Sequence, residues 1–161
     1  MPADYRQPEI TPTLLDRLID LDPESQREAP VNSWEQMRDF QSALCRDLTA
    51  LLNTRRATED FGHSYEEAAN SLLSFGIVDF TSYNLKRDVE QEQLRKSIER
   101  SIRRFEPRLE RVAVSIQEAD PHRSTLRFQV SAALCTETQD PVVFEATLHR
   151  DSRRVAVSGG A

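Results

Sequence analysis

At FEPRL, residues 105 to 109, the period of the hydrophobic pattern changes from 3.6 to 2, and no other feature limits the fold as much. Before it, DVEQEQLRKSIERSIRRF (88 to 105) sets Val89, Leu94, Ile98, Ile102 and Phe105 on one side of a helix, with acids in the first turn and bases in the last. After it, Val112, Val114 and Ile116 alternate with polar residues, as do Leu126, Phe128, Val130, Ala132 and Leu134, and then Val142, Phe144, Ala146 and Leu148. Pro107 accounts for the stop, because its ring locks φ and disfavours the α region for Glu106. It does not account for the two charges beside it.

Three strands therefore follow the last helix. EADPHRS (118 to 124) and TETQD (136 to 140) are turn-rich and short enough for antiparallel hairpins, and RVAVS (154 to 158) can add a short fourth strand after a turn near Asp151. One face of such a meander is apolar and the other polar, so helices are expected on the first face only. The predicted fold class is α+β: two layers, with N-terminal helices packed on one face of a small antiparallel sheet.

The helices come from the first half. Ser33 and Gln36 form a capping-box pattern that opens SWEQMRDFQSALCRDLTALL (33 to 52), where Trp34, Met37, Phe40 or Gln41, Leu44, Leu48 and Leu51 make a one-sided stripe. NTRRATEDFGHSY (53 to 65) reads as a loop, with Asn53 as C-cap. Ser64 and Glu67 repeat the capping pattern before a shorter helix through Leu72 and Leu73 that ends by Gly76, and Asp88 and Gln91 repeat it again at the last helix.

The chain divides into a leader, residues 1–32, and a domain, residues 33–158. In the leader, TPTLLDRLIDLDP (11 to 23) places Leu14, Leu15, Leu18 and Ile19 on one face of a short helix, and DPESQREAPVNS (22 to 33) reads as a linker. So short a helix is unstable alone, and it must dock on its own domain or on another protein.

Composition narrows the function. With 38% apolar and 30% charged residues and a mean hydropathy of -0.60, the chain has a modest core and a large wet surface. A net charge of -6 argues against general nucleic-acid binding. Residues 86 to 111, with nine basic and six acidic side chains, are locally +3, which fits either an acidic partner or cations complementing a helix dipole. Cys45 and Cys135 read as reduced thiols, and no Cys or His pair has metal-site spacing. No apolar run is long enough to span a membrane and the start lacks the pattern of a signal peptide, so a cytoplasmic location is expected.

Catalytic signatures are missing. There is no Gly-rich phosphate loop, no GxGxxG after a strand and no HExxH. His63, His122 and His149 fall in a loop, a turn and a strand end, and Cys45 lies close to the apolar stripe. Glu106 with Glu59 or Asp60 would make a carboxylate pair of the glycosidase kind, but a chain with 27 acids always offers some such pair. A non-enzyme without metal or cofactor is expected.

LLNTRR (51 to 56), SLLSFGIVDF (71 to 80), SIRRFEPRLERVAVSI (101 to 116) and LRFQVSAAL (126 to 134), in that order, resemble the baseplate family that includes TssE of bacterial type VI secretion systems and the lysozyme-like wedge protein of contractile-tail phages. The resemblance covers residues 33 to 149, its most specific mark is the Glu-Pro-Arg triplet, and TPTLLDRLIDLDP resembles the leading segment of TssE proteins. It implies a structural wedge subunit that binds TssF and TssG near TssK and gives the TssB/TssC sheath its first site by strand sharing. The phage relative's name leaves a peptidoglycan hydrolase as one alternative, and a generic adaptor is another. On this reading Pro107 stiffens the corner, Arg108 contacts a neighbour's carboxylate and Glu106 supports it, or the two exchange roles. Arg55 is a second contact candidate, with a solvated loop arginine as its ordinary reading. Leu14, Leu15 and Leu18 are expected to dock on wedge proteins.

Overall fold

The structure is a computed structural model that describes residues 13–19, 33–56, 65–80, 83–84, 87–120, 125–136, 139–149 and 151–159. Its helices are α1 (Leu14–Leu18), α2 (Ser33–Asn53), α3 (Glu66–Ala69) and α4 (Asp88–Phe105). The strands β1 (Leu109–Asp120), β2 (Thr125–Leu134), β3 (Pro141–His149) and β4 (Arg154–Gly159) form one antiparallel sheet in sequential order. The α+β class and the helices-then-sheet order follow the change of period at residues 105 to 109, and the fourth strand is present. No helix among the described residues is long and apolar enough to cross a membrane.

The two long helices share one face of the sheet, α4 along β1 and α2 along β4. Between them and the sheet lie Leu44, Leu48, Leu51, Leu94, Ile98 and Ile102 from the helices and Val112, Phe128, Val130, Phe144 and Leu148 from the strands. β3 alternates buried and exposed along its whole length, as a half-buried strand must. The β2–β3 register pairs Val130 with Phe144 and Phe128 with Ala146, so large and small side chains interleave over the helices.

Several local expectations need correction. Val89 is exposed, because the core stripe of α4 begins only at Leu94. Leu52 is fully buried although it lies beside the expected stripe, and Ile77 and Phe80, in what reads as a plain connection, are core. The helix expected through Leu72 and Leu73 ends at Ala69; a 3-10 turn, Leu72–Ser74, follows, and both leucines are exposed. Gly76 has φ +103 and lies against Thr54, so its freedom serves that close approach and not a helix cap.

The capping patterns fare unevenly. Tyr65 is the N-cap of α3, without a side-chain bond, and Ser64 lies outside the described residues. Arg87, again without one, caps α4, and Asp88 is already helical. Ser33 opens α2 as its first residue. A capping box does form at α1, where the Thr13 side chain accepts from the Asp16 N–H and the Asp16 carboxylate accepts from the Thr13 N–H. The Thr-x-x-Asp spacing that makes this box is local to four residues.

Candidate functional site

Glu106 is the C-cap of α4, with its N–H donating to Ile102 O at 2.9 Å. Pro107 turns the chain, and Leu109 N–H closes the turn on Glu106 O at 3.1 Å as β1 begins. The corner brings a buried carboxylate against a guanidinium. Arg108 Nε donates to Glu106 Oε1 at 2.6 Å and Nη2 to Oε2 at 2.6 Å, the two-pronged geometry that satisfies a carboxylate best. The Arg108 N–H adds a bond to Oε1 at 3.3 Å.

A second carboxylate arrives from 61 residues away. Asp47 of α2 accepts from Arg108 Nη2 at 2.6 Å, which ties the corner to the helix layer. The Arg108 guanidinium lies over the Phe40 ring, 5.7 Å from its centre. Burial works against its charge, and the bonds to Glu106 and Asp47 more than offset this, so its pKa is raised. The Glu106 side chain is 6% exposed and that of Arg108 15%, so both charges lie mostly against the chain's own groups. Glu106 does support Arg108, and the carboxylates around Arg108 are the chain's own.

Arg55 also turns inward. Its Nη1 donates to Leu52 O and its Nη2 to Arg153 O, each at 2.9 Å, and its guanidinium sits 4.2 Å from the centre of the Phe80 ring. A plain loop arginine is thereby excluded. Desolvation lowers its pKa and the nearby charge of Arg153 adds to this, while Asp79 opposes it in part. Asn53, the last residue of α2, does more than cap: Nδ2 donates to Val155 O at 2.8 Å and Oδ1 accepts from Val155 N–H at 2.9 Å, as a neighbouring strand would.

Both sheet edges carry side chains of the helices. On β1, Val112 O accepts from Arg103 at 2.7 Å, Val114 O accepts from Arg95 Nη1 at 3.3 Å and Val114 N–H donates to Glu99 at 3.4 Å. The Glu99–Arg103 and Glu99–Arg95 ion pairs hold these groups in line. On β4, Asn53 covers Val155 and Cys45 Sγ lies 3.3 Å from Gly159 O. Val157, between them, faces the same way by the two-residue period, and among the described residues its outward N–H and C=O have no partner. A surface groove of about 860 Å³, lined by residues including Thr49, Asn53, Arg153, Arg154 and Val157, runs beside this stretch.

Leu14 and Leu18 are each 73% exposed and Leu15 54%, because α1 meets the domain through the polar Asp16. Arg46 Nη2 donates to Asp16 Oδ1 at 2.6 Å. Burial pushes the Asp16 carboxyl upward, but the bonds from Thr13 and Arg46 outweigh it and hold the group below its ordinary value. Asp16, Arg46 and Asp47 thus join the corner, and of these only Asp16 carried a local signal. His63, His122, Glu59 and Asp60 lie outside the described residues. Among the described residues no cluster has the makings of a metal site.

A solved chain from "The baseplate complex from the type VI secretion system" is 19% identical, with 65% of this chain and 80% of that chain covered and a TM-score of 0.48. No curated protein matches. Residues 38–139 match the family described as "Baseplate wedge protein gp25", which takes in most of α2, the Glu-Pro-Arg corner and strands β1 and β2. That match spans well over half of the chain, and the protein belongs to the gp25 family of baseplate wedge proteins.

Proposed function

We propose that this chain is the TssE-type subunit of a type VI secretion baseplate, a cytoplasmic structural protein and not an enzyme. It joins the wedge proteins TssF and TssG, near TssK, to the sheath of TssB and TssC. Membership of the wedge family, with the Glu-Pro-Arg corner inside the matched region, is the observation that carries this reading. The leader, residues 1–32, is the tether, and residues 33–158 are the wedge domain. Leu14, Leu15 and Leu18 dock on a wedge protein: they form an outward apolar face on a helix that contacts its own domain through charge.

Sheath polymerisation starts by strand addition. Two edges are available, and their states differ. β1 is closed by three side chains of α4 at consecutive outward groups, a common protection against unwanted pairing. Among the described residues β4 leaves the outward N–H and C=O of Val157 without a partner, beside a groove with Arg153 and Arg154 in its lining, so an extended acidic segment is the natural addition there. Arg108, and more weakly Arg55, belong to the contact surface as organisers: they fix the corner and the start of the sheet against the helices.

Co-purification of the chain with wedge and sheath proteins, and imaging of sheaths in cells, tests the reading. Arg108→Ala strands Glu106 and Asp47, so it is expected to lower stability by about 3 to 5 kcal/mol, to weaken wedge binding in the fraction that folds and to abolish sheath assembly. A variant that folds and still supports normal sheaths overturns the ionic role. Cell-wall turnover by the purified protein, lost on changing Glu106, would overturn the structural assignment.

A further inference from the structure

Arg46 and Arg108 are tied together by Asp47. Its Oδ1 accepts from Arg46 Nε at 3.0 Å and Nη2 at 2.9 Å, and its Oδ2 accepts from Arg108 Nη2 at 2.6 Å. The other edges of the two guanidiniums converge on Asp16, whose Oδ1 lies 2.6 Å from Arg46 Nη2 and whose Oδ2 lies 3.8 Å from Arg108 Nη1. The second distance is too long for a hydrogen bond. Arg108 Nη1 is buried and donates none among the described residues, and a buried donor of a charged group is rarely left so.

The reason lies in α1 itself. Asp16 Oδ2 already accepts from Thr13 N–H at 3.1 Å and from Thr13 Oγ1 at 2.6 Å, the bonds that cap its own helix. One carboxylate is thus asked to cap a helix and to bridge two arginines, and it completes only the first task and half of the second. Among the described residues apolar contact compensates little, because Leu14, Leu15 and Leu18 are all more than half exposed. Removing Asp16 leaves Arg46 and Arg108 opposite Asp47 and Glu106, two charges of each sign, so the cluster stays neutral without α1.

We propose that Arg46 and Arg108 form a carboxylate seat that Asp16 half-fills within the chain, and that an aspartate or glutamate side chain of a partner displaces Asp16, engages both guanidiniums and frees α1. This rests on the corner being a partner contact. The leucine face is then released at the moment the corner is occupied, so both attachments form in one step. The unused Arg108 Nη1 donor beside Arg46 Nη2 selects the occupant, which must bring two acceptor oxygens: it is a carboxylate carrying no capping duty of its own.

Acetate added to the full chain is the probe, read by NMR of the Arg46 and Arg108 side-chain N–H signals. Asp16→Asn is expected to bind acetate about tenfold more tightly than the unaltered chain, a factor ordinary for linked sites. Adding Arg46→Gln to Asp16→Asn should remove the gain. Arg46→Gln alone leaves the Thr13–Asp16 cap intact, and it should release α1, seen as faster amide exchange at Asp16 to Ile19. Equal acetate binding with and without Asp16, or an α1 that stays protected in Arg46→Gln, overturns the seat. If acetate binds as expected but wedge proteins bind Asp16→Asn and Arg108→Ala as they bind the unaltered chain, the seat exists, its role in assembly is overturned and the corner reading fails. If Arg108→Ala abolishes wedge binding while Asp16→Asn changes neither acetate nor wedge binding, the corner reading survives and the seat does not.

Discussion

Among the described residues Glu106 is the one buried acidic side chain, and its neighbours bond both of its oxygens. A lone carboxylate out of water is very costly, but two charge-assisted bonds from Arg108 and one from a backbone N–H replace its hydration. Breaking the pair from either side leaves the other charge stranded. Glu106→Ala is expected to cost about 3 to 5 kcal/mol, read as a lower denaturant midpoint with an unchanged slope. Asn53 carries a smaller stake of the same kind. Asn53→Ala leaves the Val155 N–H and C=O unmet at the end of α2 and should cost about 1 to 3 kcal/mol, with faster exchange of the Val155 amide. Neither role follows from residue type alone: glutamate before proline reads as a helix stop and asparagine after leucines reads as a cap. Arg108 and Asp47 are 61 residues apart, so no local pattern links them.

Elements are stabilised here by what covers their open sides. α4 buries Leu94, Ile98 and Ile102 beneath the sheet, while its flank carries Arg95, Glu99 and Arg103 to the β1 edge. Replacing all three by alanine frees the Val112 C=O and the Val114 N–H and C=O together. Concentration-dependent self-association is expected, measured by sedimentation, and a triple variant that stays monomeric would show that the bulges of β1 suffice to protect it. At this scale the period-2 segments and the two long amphipathic helices were legible, since each depends on spacing within one segment. The short elements were not. α3 ends at Ala69, and Ile77 and Phe80 are buried by contacts across the fold that leave no periodic trace.

At the scale of the whole molecule, α1 is the part whose attachment responds to solution conditions. Asp16 meets Thr13 on its own helix, Arg46 on α2 and Arg108 at the corner, with Asp47 and Glu106 completing the cluster. Its folded pKa lies below the ordinary value, so its contribution to docking is complete above the ordinary carboxylate range and lost as pH falls through the folded value. Lowering pH, or raising salt at neutral pH, should therefore speed amide exchange in Leu14–Leu18 before the sheet loosens. The sequence by itself determined the class and order of layers, because amphipathic period and a proline stop act within a few residues. It also pointed to the Glu-Pro-Arg corner through resemblance. The tertiary structure alone decided that this corner faces Asp47 and Phe40, that Arg55 lies on Phe80 and that the leucines of α1 face outward. A charge can be read from one residue, but whether it meets water or another charge depends on chain brought near by folding, and spacing along the sequence carries no record of that distance.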